Sequence, residues 1–147
     1  MFTNPLSRDL EHVLKNTKQL WEELRDKRIF ITGGTGFVGS WLLESLYWAN
    51  VKFDLNLKSI VLTRDLESFR EKAPHLVDNM VIEYLIGDVC DFAYPEGEFS
   101  HVVHAATEIS SNLNTTDPLL MFNTITQGTK RVLDFAVSCN ARQILLM

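Results

Sequence analysis

Gly33, Gly36 and Gly39 recur at every third position, between the apolar residues Ile29 to Ile31 and an apolar run from Trp41 to Trp48. Glycines so placed between a buried strand and a helix are suited to hold a pyrophosphate. Gly33 permits a tight turn out of the strand. Gly36 has no side chain, so a phosphate can approach the backbone closely. Gly39 lets the new helix pack tightly on the sheet. Thr35 lies inside the turn. The helix start at Phe37 and Val38 offers N–H groups with no intrahelical acceptor, at the positive end of the helix dipole. The pattern G-x-x-G-x-x-G is a spacing variant of the dinucleotide fingerprint. A glycine-rich turn that binds nothing would share these residues. Position favours the dinucleotide, because the turn stands near the start of a chain that continues in alternating strands and helices.

Three further groups fall at strand ends. Thr63, Arg64 and Asp65 follow the second strand. An acid near that tip accepts from the adenine ribose and favours NAD, whereas a basic residue accommodates the 2′-phosphate of NADP. Thr63 stands where the acid is expected, and the Arg64 guanidinium next to it can clamp a phosphate in two-pronged fashion. The sequence therefore favours NADP over NAD. Asp65 keeps NAD open or simply caps the next helix, and a solvated surface charge is the plain alternative for Arg64. Asp88 and Val89 follow the third strand. Asp88 can accept from the adenine amino group with Val89 against the ring, or serve as an ordinary turn aspartate. His104, Ala105, Ala106 and Thr107 close the fourth strand, where small residues let the backbone pass beside a cofactor. His104, at an apolar strand end, reads as a satisfied structural histidine. Cys90 and Cys139 lack paired spacing and read as free thiols of a reducing cytoplasm. The four histidines show no metal-ligand spacing, so no metal site is expected.

The elements that must position these residues follow from periodicity. Leu6, Leu10, Val13, Leu14, Leu20, Trp21 and Leu24 recur at helical spacing, predicting an amphipathic helix over 1–27, broken near Asn16 and Thr17 and started by Asn4 and Pro5. It extends the domain or serves an oligomer contact. Strands are expected at 28–32, 59–63, 80–86, 100–105 and 143–147. Helices are expected at 37–49, closed by Asn50, at 65–72, ending before Pro74, and from Asp117 and Pro118 to about Cys139. In the first of these, Val38, Trp41, Leu42, Ser45, Leu46 and Ala49 form the expected buried stripe. Gly128 inside the last helix lowers its stability relative to Ala, so close packing is expected there. Alternating strands and helices predict an α/β, Rossmann-type doubly wound parallel sheet of order 3-2-1-4-5 with an N-terminal helical extension. The loops singled out above then share the carboxyl edge of the sheet, at the switch between strands 1 and 4.

The 147 residues, 46% hydrophobic, suffice for one domain with a real core. A net charge of −5 without a long basic run argues against nucleic acid. No apolar stretch reaches the length of a membrane span, and no signal peptide is evident.

Taken together, Thr32-Gly-Gly-Thr-Gly-Phe-Val-Gly39, Gly87-Asp-Val89, Val103-His-Ala-Ala-Thr107 and Asn123-Thr-Ile-Thr-Gln-Gly-Thr129 resemble the extended short-chain dehydrogenase/reductase family, the NAD(P)-dependent nucleotide-sugar epimerases and dehydratases. The resemblance covers about residues 28–147. It implies that Asp88 and Val89 touch adenine, and that Ala105 and Ala106 line the pyrophosphate and nicotinamide ribose. It implies a cytoplasmic, often dimeric enzyme acting on a nucleotide-sugar. Such enzymes use a Tyr-x-x-x-Lys pair, in which Lys lowers the Tyr pKa so that a phenolate takes the hydroxyl proton while hydride moves to nicotinamide. Four residues after Tyr47, Tyr84 and Tyr94 stand Val51, Asp88 and Glu98. No catalytic residue is therefore assigned. The expected organisation is a helical extension at 1–27 and an NAD(P)-binding domain at 28–147, truncated at strand 5, with the substrate-binding half absent. This chain alone is expected to be inactive. The alternatives are a non-catalytic NADP-sensing module and a structural protein with a vestigial fingerprint. The apolar fifth strand predicts association along that edge.

Overall fold

A computed structural model describes residues 4–106 and 116–147. Five parallel strands form one sheet in the order β3-β2-β1-β4-β5. They are β1 (Arg28–Thr32), β2 (Lys58–Thr63), β3 (Ile82–Ile86), β4 (His101–His104) and β5 (Gln143–Leu146). The helices are α1 (Ser7–Trp21), α2 (Phe37–Phe53), α3 (Leu66–Lys72), α4 (Pro74–Val77) and α5 (Pro118–Ser138), with a 3-10 turn at Glu22–Leu24.

Strand periodicity builds a core on each face. Ile29, Ile31 and Val61 point to the side of α2, α3 and α4, where Leu43, Leu46, Phe69 and Leu76 meet them. Phe30, Ile60 and Leu62 point to the other side, where Phe92, Phe99, Val132 and Phe135 meet them. The Phe30 and Phe135 rings lie 4.7 Å apart, inclined at 61°. The central strands β1 and β2 are covered on both faces, whereas β5 is exposed along its length.

Several boundaries differ from the sequence reading, each for a local reason. α1 runs unbroken through Asn16 and Thr17, because the Thr17 hydroxyl donates back to the Val13 carbonyl at 2.7 Å and itself accepts from Trp21 Nε1 at 2.9 Å. Asn4 does not cap that helix. Its Oδ1 accepts from Leu6 N, and its Nδ2 donates to Glu44 at 3.0 Å. α2 continues past Asn50 to Phe53 and ends at Asp54 in the left-handed conformation, φ 47°. Asn50 instead clasps Leu57: its Oδ1 accepts from Leu57 N at 2.9 Å and its Nδ2 donates to Leu57 O at 3.3 Å. The buried face of α2 carries Leu43, Glu44 and Asn50, whereas Val38 is exposed. The helix expected to end before Pro74 does so, α3 closing at Lys72, and Pro74 opens the short α4 as its first residue. β3 begins at Ile82 because Asn79 Oδ1 accepts from both Val81 N and Ile82 N, holding the approach as a turn. Asn140, φ 56°, follows α5 in the left-handed position expected of it.

Candidate active site: a cofactor cleft

The order β2-β1-β4 makes a switch point between β1 and β4, where the flanking connections leave to opposite faces. A cleft of about 260 Å³ opens there, at the carboxyl ends of β1 to β4. Gly33, Thr35, Gly36, Arg64, Asp88, Val89, Ala105 and Ala106, chosen from separate stretches of sequence, all line it. Phe37, Val38 and Gly39 do not; they form the first turn of α2 behind Gly36. Thr107 lies outside the described residues.

The glycine turn is shaped by contact. Gly33 has φ 72°, and a Cβ there would fall on the backbone of Ala105 and Ala106. Turn and opposite wall therefore touch without a side chain between them. Gly36 N donates to Gly33 O at 3.1 Å and closes the turn, while the space beside its own missing Cβ holds only Gly33 O, at 3.3 Å. Gly39 packs against the Gly33 carbonyl and Gly34, so the start of α2 lies tight on the turn that leaves β1. Gly36 is the N-cap of α2, no side chain caps this end, and the first turn carries no acid. Its leading N–H groups have no intrahelical acceptor.

At the other end of the cleft, Asp88 uses one oxygen as a turn aspartate: Oδ1 accepts from Cys90 N at 2.9 Å. The second oxygen lies 4.0 Å from Arg64 Nη1, with both side chains well exposed. Arg64 also borders a second hollow of about 170 Å³ with Thr35, Thr63, Asp65, Ser68, Phe69 and Lys72. Asp65 caps α3, its Oδ1 accepting from Ser68 N at 2.9 Å. Thr63 is buried, its hydroxyl accepting from Asp65 N at 3.3 Å.

His104 is buried and both ring nitrogens are engaged, Nδ1 with Thr32 Oγ1 at 2.7 Å and Nε2 with Thr129 Oγ1 at 3.2 Å. Burial pushes its pKa below the ordinary imidazole value. None of the three tyrosines lines the cleft. Tyr84 donates to Leu76 O and Tyr94 to Arg131 O, and burial pushes the Tyr84 pKa up. Among the described residues no cluster of His, Cys, Asp or Glu is arranged for a metal ion.

The sequence reading missed the wall supplied by α5, namely Thr124, Ile125 and Gly128. Gly128 was the available signal. A Cβ there would lie 2.8 Å from Val89 Cγ1, so the glycine makes room for the residue at the cleft's far end.

A model of the NAD dependent epimerase/dehydratase family matches residues 29–147. No curated protein matches the chain at a significant level. Among solved structures, a UDP-galactose 4-epimerase is 30% identical with a TM-score of 0.59, over 81% of this chain and 37% of its own. Pen from Bacillus thuringiensis is 23% identical, TM-score 0.68, over 84% and 38%. The Bordetella bronchiseptica enzyme WbmF, solved in complex with NAD+, is 20% identical, TM-score 0.64, over 84% and 36%. The chain thus spans a little over a third of the length of these structures. The likeness to Pen and WbmF is one of fold.

Proposed function

Because the chain belongs to the NAD dependent epimerase/dehydratase family, we propose that residues 28–147 are the cofactor-binding portion of a nucleotide-sugar epimerase or dehydratase, with residues 1–27 a helical extension packed on it. The observation that carries this reading is convergence. The glycine turn, Arg64, Asp88 with Val89, and Ala105 with Ala106 meet in one cleft at the switch point. Thr107 belongs to the same proposed set.

The residues present fit a dinucleotide. Gly36 leaves the backbone open where a pyrophosphate would approach, and Phe37, Val38 and Gly39 supply the leading N–H groups of α2. Ala105 and Ala106 offer a wall without bulk, and Asp88 with Val89 form the adenine end. Bound nicotinamide supplies the hydride acceptor that transient oxidation of a sugar hydroxyl requires. This chain's residues bind and orient that group; the chain alone is proposed to be inactive, since no Tyr-x-x-x-Lys occurs in it. The UDP-galactose 4-epimerase likeness, and a WbmF structure carrying NAD+ and UDP, support a nucleotide-sugar as substrate of the complete enzyme.

NADP is the proposed cofactor over NAD. Its support is the hollow lined by Arg64 and Lys72 together with Thr63, Asp65 and Ser68. Two cations at that position complement a 2′-phosphate. A cytoplasmic homo-oligomer is proposed, with the apolar residues of β5 as the associating edge; Ile144, Leu145 and Leu146 are exposed, and no helix among the described residues is long and apolar enough to cross a membrane. A non-catalytic NADP-sensing module is the second reading, favoured by the absence of the three tyrosines from the cleft wall.

The test is a thermal-shift titration with NADP+ and NAD+ in parallel, since a ligand that binds only the native state raises the melting temperature. A larger shift with NADP+ is expected. Equal shifts would remove Arg64 as the selector, and no shift with either in a cooperatively melting sample would overturn the cofactor reading.

A further inference from the structure

We propose that His104 is a positioning residue of the cofactor cleft, a neutral hub that ties the Ala105–Ala106 wall to the glycine turn and to α5. The proposal rests on the cofactor reading above and goes beyond it, because His104 is assigned a role through its neighbours.

The proposed relay has one direction, chosen between hydroxyls and ring nitrogens that can each donate or accept. Ala106 N donates to Thr32 Oγ1 at 3.3 Å, so that hydroxyl already accepts one bond. Its own proton is directed to His104 Nδ1, 2.7 Å away. Nδ1 is then the acceptor of the ring, and the ring proton sits on Nε2. Nε2–H donates to Thr129 Oγ1 on α5 at 3.2 Å. One buried imidazole thereby joins three walls: Thr32 precedes Gly33, Ala105 and Ala106 follow His104, and Thr129 follows Gly128.

The tolerances give the relay its importance. A Cβ on Gly33 would fall on the Ala105 and Ala106 backbone, and one on Gly128 would press on Val89. A small displacement of either wall therefore changes the space left for a pyrophosphate. The groups facing the ring from β1, β5 and α5 are Thr32, Leu146 and Thr129, none of them charged. Among the described residues, nothing facing the ring would stabilise an imidazolium, and a second proton on Nδ1 would remove the acceptor of the Thr32 hydroxyl.

The test combines nitrogen NMR of the histidine rings with NADP+ titration of the folded chain. The expected result is an unprotonated Nδ1 and a protonated Nε2 at His104. Thr129→Val, which removes the acceptor of Nε2–H, should weaken NADP+ about tenfold while still melting cooperatively, as loss of one buried hydrogen bond implies. Thr129→Ser should restore the affinity. His104→Asn keeps an acceptor for Thr32 but cannot reach Thr129, and should behave like Thr129→Val. A proton found on Nδ1, or folded Thr129→Val binding NADP+ as tightly as the wild type, would overturn the proposal. A wild-type chain that binds no NADP+ would overturn the cofactor reading itself, and the NMR result would then describe a structural hydrogen-bond chain only.

Discussion

Gly128 on α5 packs directly on Val89, so close that an added Cβ would stand 2.8 Å from Val89 Cγ1. The residue that stabilises the helix least is the one that leaves the far end of the cleft open. Gly128→Ala brings two opposing effects. Helix propensity improves by about 1 kcal/mol, and overpacking costs roughly 1–3 kcal/mol. A net loss of roughly 0–2 kcal/mol in unfolding free energy is expected from urea titration. Cofactor affinity, in contrast, should fall several-fold, because relief of the clash moves Val89 toward the cleft. Unchanged affinity would show that Val89 does not border the bound ligand.

Gly33→Ala is expected to behave differently. The clash is with the backbone of Ala105 and Ala106, which cannot swing aside, and the φ of 72° is strained for any L side chain. Both terms oppose folding, and together they should exceed about 3 kcal/mol. A denaturation midpoint within error of the wild type would contradict the contact between turn and wall.

The fold and most of the cleft were legible in the sequence, because strand alternation and glycine spacing are local signals. The strand order followed from right-handed crossovers, and the loops at strand ends then had to share one edge. The departures were not local. Asn50 looked like a helix stop until β2 brought Leu57 within reach of both ends of its amide. Glu44 carries no signal in the sequence, yet it is buried between Asn4 and His75, whose Nε2 lies 2.6 Å from Oε1. Thr124 and Ile125 reach the cleft where α5 packs across Val89, a contact whose one signal in the sequence is Gly128.

A pH dependence follows from the two histidines of β4. Burial, the largest cause in each, pushes the His104 and His101 pKa values below the ordinary value of 6.5. In the unfolded chain both bind protons as pH falls through that value, while the folded chain resists. The unfolded state then binds more protons, so stability is full above about pH 7 and declines as pH drops toward the lowered folded values. His104→Asn removes one of the two contributions. Urea unfolding between about pH 8 and 5 should give a shallower decline for the variant than for the wild type. Parallel profiles would show that His104 does not titrate differently in the two states.

Arg64 is the residue proposed to separate the two cofactors. Its pair with Asp88 spans 4.0 Å between well-exposed side chains. Such a pair contributes about 0.5 kcal/mol or less, so its loss in Arg64→Ala should by itself cost little ligand-free stability. A charge-assisted bond to a phosphate is far stronger, and its loss should weaken NADP+ about tenfold or more. NAD+ has no 2′-phosphate and should bind as before. Lys72→Ala, in the lining of the same hollow, should reproduce the effect more weakly. The readout is the ratio of the two affinities by calorimetric titration, since a general distortion of the cleft lowers both together. Equal loss for NADP+ and NAD+ in Arg64→Ala would place the guanidinium outside any phosphate contact, and selection would then have to come from Thr63 and Asp65.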